Sequence, residues 1–216
     1  MVNFARWCRC HPPAVLVVAS TIALLVALPA SARLGRSSHF DNSAPYTHGG
    51  CPGTTSNRID PLNVVFWDWG TYDRVFSQIQ SHAGWNDDGG SSQTFVDHST
   101  CYAMHGQRAS SGIASTRFHI RIRGQHSDPS LGWTATGDAH HEDLVITCGH
   151  AVDSNGPSGS GFDQGRNTLR TYFSNAGHSI STNNFWGNTQ NFKQCDGDLA
   201  GSNGYTTFIQ LHQVNH

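Results

Sequence analysis

The sequence predicts an α+β fold: a single domain with a mixed or antiparallel sheet and two helices packed on one face, in the order β-α-β-β-β-α-β. Three observations carry this. The run Leu62-Asn-Val-Val-Phe-Trp67 is apolar on both parities, as in a strand buried on both faces. Two stretches, 71–83 and 163–176, repeat apolar residues with a helical period, and each ends at a glycine. Arg117-Phe-His-Ile-Arg-Ile-Arg123 alternates strictly, as does a strand with two unlike faces.

Residues 1–32 read as a secretory signal peptide. Arg6 and Arg9 precede an uncharged apolar run from Ala14 to Leu28, then Pro29 and the small triplet Ala30-Ser31-Ala32. The run falls short of the roughly 20 apolar residues that span a bilayer. A retained anchor is the alternative, and membrane contact is expected only in that case. Residues 33–58, rich in Ser, Gly, Pro and Asn, read as a flexible linker, and 59–216 as the folded domain. Export leads us to expect a secreted or extracellular location. Four cysteines lie beyond the signal: Cys51, Cys101, Cys148 and Cys195. An even number in an oxidising space predicts two disulfides. Three connectivities are open, of which we expect Cys51–Cys101 with Cys148–Cys195. A four-thiolate zinc site usually needs close C-x-x-C pairs, which these widely spaced cysteines lack.

Within the domain, the strand at 62–67 should sit centrally. In the helix at 71–83, Tyr72, Val75, Phe76, Ile79 and Ala83 form one stripe. Gly84 stops it, and Trp85 can pack back. Residues 93–97 and 101–107 predict modest strands. The 117–123 strand and another from Trp133 follow, the latter running into a loop near Asp138. The second helix takes Asp163 as N-cap, shows Leu169, Tyr172, Phe173 and Ala176 on its stripe, and ends at Gly177. Residues 205–214 predict the closing strand.

Composition narrows the function. Only 13% of the 216 residues are charged, and the net charge is -2 without basic runs, so no nucleic-acid partner is expected. No phosphate-binding or dinucleotide glycine pattern occurs, and no G-x-S-x-G elbow. The chain has 14 histidines but one lysine, Lys193, and one glutamate, Glu142.

The densest set of ligand-type residues is Trp133 to Asp153, holding Asp138, His140, His141, Glu142, Asp143, His150 and Asp153. Alternation puts Asp138 and His140 on one face. Imidazole with carboxylate suits Zn, Mn or Fe, and two histidines with one carboxylate would leave coordination positions open for catalysis. This makes His140, His150 and Asp153 candidate ligands of a divalent metal. The plain alternative is a polar loop. On the 117–123 strand, Arg117, His119, Arg121 and Arg123 share a face. Their guanidinium forks match carboxylate or phosphate oxygens, unless that face is solvated and pairs with aspartates. The lone glutamate falls inside His140-His141-Glu142-Asp143, which marks that run as a place to look first.

In order, the motifs Asp60-Pro-Leu-Asn, Ala83-Gly-Trp85, Arg117-Phe-His119-Ile-Arg-Ile, Trp133-x-Ala-Thr-Gly-Asp138, His150-x-Val-Asp153 and Asp163-x-x-Arg166 resemble the LssY C-terminal domain family of bacteria. The resemblance spans residues 59–177. It implies a shared pocket drawn from His119, Asp138, His150, Asp153, Asp163 and Arg166. Gly165 departs from the family's D-x-E-R pattern, where a glutamate is usual. The membrane-embedded segments of many members are absent here, and the four cysteines look added.

These readings lead to two expectations. One is a secreted metal-assisted hydrolase of an anionic envelope component, with His119, Asp138 and Arg166 catalytic and Arg117 and Arg121 binding the anion. The other is a noncatalytic extracellular domain meeting glycan or protein partners through loops such as Asn183 to Asn188.

Overall fold

The computed structural model describes residues 47–48, 60–89, 94–97, 100–103, 106–112, 116–128, 131–146, 149–153, 160–184, 191–193 and 198–211. The predicted signal, nearly all of the linker, Cys51, Cys148 and Cys195 lie outside them, and Cys101 is described only in its backbone. The disulfide expectation therefore falls outside the described residues.

Along the chain, β1 (Thr47–His48), β2 (Asp60–Pro61) and β3 (Val64–Trp67) precede helix α1 (Tyr72–Ala83). There follow β4 (Asn86–Asp87), β5 (Thr94–Asp97), β6 (Thr100–Ala103), β7 (Gly106–Ala109), β8 (Arg117–Asp128), β9 (Gly132–Val145) and β10 (Gly149–Val152). After helix α2 (Gly161–Asn175) come β11 (Ile180–Asn184), β12 (Asn191–Lys193), β13 (Leu199–Gly201) and β14 (Tyr205–Gln210). The main sheet has eight strands in the order β11-β14-β3-β9-β8-β7-β4, with β10 pairing β9. Its β14–β3 pair is parallel and its other pairs are antiparallel, so this is the mixed sheet of an α+β domain. Among the described residues, β2-β1-β5-β6 and β12-β13 form smaller sheets.

The central strand lies where its two-sided apolar pattern predicts: all four residues of β3 are buried between β14 and β9. Both helices pack on one face. Val75, Phe76 and Ile79 of α1 and Leu169 and Phe173 of α2 share a core with Val64, Phe66, Ile120, Ile122, Ala135, Ala139 and Ile209. Side chains of this size contribute about 1.5–3 kcal/mol each when fully buried. Gly84 ends α1 at φ 70° and donates its N–H to the Gln80 carbonyl, as a left-handed stop requires, and Trp85 turns back into the core.

Three expectations are corrected. Helix α2 begins at Gly161 with Ser160 in the N-cap position, so Asp163 sits inside the first turn. The predicted strand at 101–107 is two: β6 in a small sheet and β7 in the main one. The chain from Asp138 to Val145 is no loop, because β9 runs unbroken for 14 residues and pairs with the 12 of β8.

Candidate metal centre

The β8–β9 pairing builds the site. Its register sets Arg117 opposite Glu142, His119 opposite His140, Arg121 opposite Asp138 and Arg123 opposite Thr136. Directly opposed residues project to the same side of a sheet, so all of these share the face away from the helices. That face is not solvated: Arg117, His119, Arg121, Arg123, Asp138, His140 and Glu142 are each at most 5% exposed. Buried charge of this density must be paired.

The pairing is dense. Arg117 Nε donates to Glu142 Oε1 at 2.7 Å, and its Nη1 to Asp88 Oδ1 at 2.8 Å. Arg121 Nη1 donates to Asp138 Oδ2 at 3.1 Å, and its Nη2 is 3.9 Å from Glu142 Oε2. His140 lies between two carboxylates, with Nδ1 3.0 Å from Asp138 Oδ1 and Nε2 3.0 Å from Glu142 Oε2. His119 Nδ1 is 3.4 Å from His140 Nε2, and its Nε2 is 3.1 Å from Gln107 Oε1.

These contacts set the protonation. Burial acts to lower the His140 pKa, but the Asp138 charge and the hydrogen bonds that Asp138 and Glu142 accept from the ring outweigh it and hold the ring above its ordinary value. His119 is pushed down to about 3, by burial first and then by the Arg121 charge. Burial raises Glu142, yet hydrogen bonds from His119 and His140 prevail and carry it far below the usual carboxylate range. A neutral His119 carries a single ring proton, with Nε2 facing Gln107 and Nδ1 facing His140 and Glu142. Arg117, Arg121 and Arg123 stand on this face against Asp88, Asp138 and Glu142, and the His140 ring between two carboxylates is the point at which a further cation is held. The proton that the raised His140 retains sits there, and a metal ion would take its place.

His119, His140 and Glu142 can hold such an ion. Their ligand atoms lie within 4.8 Å of one another. The two histidine nitrogens are 3.4 Å apart, His140 Nε2 is 3.0 Å from Glu142 Oε2, and His119 Nδ1 is 3.6 Å from the other oxygen, Oε1. Metal–ligand bonds of about 2.0–2.1 Å at tetrahedral angles put donors about 3.3–3.4 Å apart. Each imidazole is also backed by an acceptor at its other nitrogen, Asp138 behind His140 and Gln107 behind His119. This is the arrangement that orients metal-binding histidines.

Two features hold β9 in place at this point. Between its partners β3 and β10, the Asn63 side chain substitutes for a strand, accepting from the Ala139 N–H at 2.8 Å and donating to the Ala139 and Phe162 carbonyls at 2.7 and 3.0 Å. The start of α2 fits into the same gap. A Cβ on Gly165 would stand 2.3 Å from the His140 nitrogen, and one on Gly161 2.4 Å from the His141 oxygen.

The structure brings together His119, Asp138, His140, Arg117 and Arg121 of the predicted site residues. It places the others elsewhere. Asp153 lies by His141, which alternates to the helix side of β9, with its carboxylate 3.7 Å from Nδ1. His150 stands in β10 opposite Leu144, and its side chain is outside the described set. Arg166 is 3% exposed and donates to Asp163, Asn203 and the Tyr205 carbonyl, tying α2 to the turn before β14. Those bonds occupy the guanidinium that was expected to be catalytic. Asp88 and Gln107 escape sequence reading, because β4 and β7 carry no motif. A groove of about 390 Å³ lined by Phe118, Gln164, Asn167 and Tyr172 lies along α2 and includes none of the cluster.

Comparison of the chain with protein-family models, with curated proteins and with solved structures finds no match in any of the three.

Proposed function

We propose that this protein is an exported, metal-assisted hydrolase whose divalent ion is held by His119, His140 and Glu142 and whose substrate is a phosphate or other anionic component of the cell envelope. The observation that carries the reading is the convergence of two imidazole nitrogens 3.4 Å apart on the Glu142 carboxylate, with each imidazole oriented by its own acceptor. Three protein ligands leave a coordination position open, the pattern of catalytic rather than structural zinc. A bound ion supplies Lewis acidity at that position. The chain's own groups do the rest. Asp138 fixes the His140 ring, Gln107 fixes that of His119, and Arg121 sets a guanidinium beside the ligand atoms. Arg117 is held between Glu142 and Asp88, and Asp88, at 16% exposed, is the outermost acid of the group. An incoming anion exchanges with Asp88 for Arg117. The resemblance of the ordered motifs to the LssY C-terminal family is in keeping with a pocket at His119 and Asp138 but names no reaction.

The test is metal content and phosphoester hydrolysis of the purified protein after dialysis against Zn²⁺ or Mn²⁺. We expect one ion per chain and metal-dependent turnover, both lost in His140→Gln and Glu142→Gln and both retained in His150→Ala. A wild-type protein without stoichiometric metal refutes the centre. Stoichiometric metal without turnover refutes the hydrolase alone.

A second reading, a noncatalytic extracellular binding domain, is favoured by Trp69 and Trp133, which are 43% and 42% exposed. Gly70 N–H donates to the Trp133 carbonyl at 2.8 Å, so the two tryptophan-bearing segments lie side by side. Trp69 holds φ 80° and Asp68 φ 58°, a pair of left-handed residues that costs about 1–3 kcal/mol each unless the surroundings impose it.

A further inference from the structure

A second convergence of imidazoles lies between the helices, apart from the buried cluster. His82, in the last turn of α1, and His178, in the connection after α2, bring their Nε2 atoms to 3.1 Å. Gln78, one turn before His82, sets its Oε1 against the same His82 nitrogen. The Phe173 ring packs against both imidazoles at 5.2 Å and restrains their planes. His178 donates Nδ1–H to the Gln210 carbonyl at 3.0 Å. That oxygen can only accept, so the His178 Nε2 carries a lone pair and points it at His82. Gln210 is in turn fastened to Asp68 at 2.9 Å.

We propose that His82 and His178 form a binding site for a late transition-metal ion of the Cu(II), Ni(II) or Zn(II) class, with Gln78 as a third donor and solvent completing the coordination. Bonds of about 2.0–2.1 Å to nitrogens 3.1 Å apart subtend roughly 98° at the ion, between the square and the tetrahedral angle. Two imidazoles and a neutral amide select late transition metals over Mg²⁺ or Ca²⁺, which favour sets of oxygen donors. The Gln210 carbonyl behind His178 is the backing acceptor that such ligands use. Both rings are half-buried, so solvent reaches the pair. On binding, the ion takes the Nε2 position of His82, whose proton moves to Nδ1. The ion then ties α1 to the chain that follows α2, across 96 residues of sequence. This site shares no ligand with His119, His140 and Glu142 and does not depend on them.

The experiment is Ni²⁺ titration of the full chain by calorimetry, with thermal unfolding in parallel, for wild type, His82→Gln and His178→Gln. The expected result is one Ni²⁺ equivalent fewer in each variant and loss of the Ni²⁺-dependent rise in Tm. Equal stoichiometry in all three proteins overturns the proposal, leaving a hydrogen-bonded pair. The wild type also gives a readout that needs no variant. Ni²⁺ should protect both His82 and His178 from diethylpyrocarbonate, mapped by peptide mass, and unchanged labelling of either ring overturns the site.

Discussion

Replacing Gly165 with alanine probes how closely helix α2 meets the strand that carries the metal centre. The new Cβ would lie 2.3, 2.4 and 2.6 Å from the N, Cα and C atoms of His140, whereas ordinary contact begins near 3.4 Å. All three obstacles are backbone, so no rotamer change relieves them, and helix and strand must part by about 1 Å. Overpacking of this kind costs about 1–3 kcal/mol or more. Against it stands the helix propensity of alanine, about 1 kcal/mol better than glycine. Because the clash involves backbone on both sides, we expect the upper part of that range to prevail, with a net loss of about 2 kcal/mol. In a domain of this size each kcal/mol moves Tm by about 2–4 °C, which gives a fall of about 4–8 °C. Urea and thermal unfolding would be compared with Ser174→Ala, an exposed position on the same helix, which should change little. A Gly165→Ala protein as stable as wild type, or more so, refutes the close approach.

Other perturbations follow from the same geometry. Glu142→Gln removes the charge that Arg117 and His140 share, and breaking a buried pair costs about 3–5 kcal/mol, so its urea midpoint should fall steeply. An unchanged midpoint would mean that the carboxylate is not the hub of the cluster. Asn63→Leu strands the Ala139 N–H and two carbonyls, with an expected loss of about 2–4 kcal/mol; a loss under about 1 kcal/mol would show that the side chain does not bridge the gap in the sheet. The pH profile has a definite sign. His119 falls from 6.5 to about 3 on folding, so between those values the unfolded chain binds the extra proton and stability climbs with pH. Glu142, depressed by folding, adds stability that is present above 4.5 and lost as pH falls. His140, raised by folding, acts oppositely: its contribution is complete below 6.5 and fades as pH rises through its folded value. Unfolding free energies that stay flat from pH 4 to 6.5 would contradict the buried, neutral His119.

Where apolar periodicity decided the structure, the sequence could be read. The stripe of α1, its stop at Gly84 and the two-sided burial of β3 all stand where the pattern sets them, because burial of apolar area dominates those choices. The site was legible in part. Thr134, Thr136, Asp138, His140 and Glu142 alternate with period two, so Glu142 joins the face of Asp138 and His140 as soon as β9 is continued past the expected loop. Polar residues at inward positions look like a surface strand, and only the opposing arginines of β8 make their burial tolerable. Asp153 and Arg166 share the composition of the site without its position. His141 sends Asp153 to the opposite side of the sheet, and Arg166 serves the β14 turn. Asp88, Gln107 and Asn63 act through long-range contacts, which no local spacing encodes.

The parallel pairing of β14 with β3 also bears on how the molecule comes to exist. Thr207 aligns with Val64, and Thr206 donates to the Leu62 carbonyl 144 residues earlier in the chain. The β3 side of the sheet is thus completed by a segment synthesised about 140 residues later. Contacts this distant must close large loops before they contribute any stability, which makes folding slow. Until residue 210 is available, β3 has an open edge of Val, Val, Phe and Trp. Such an edge readily recruits other chains, so the nascent protein needs shielding for as long as β14 is missing.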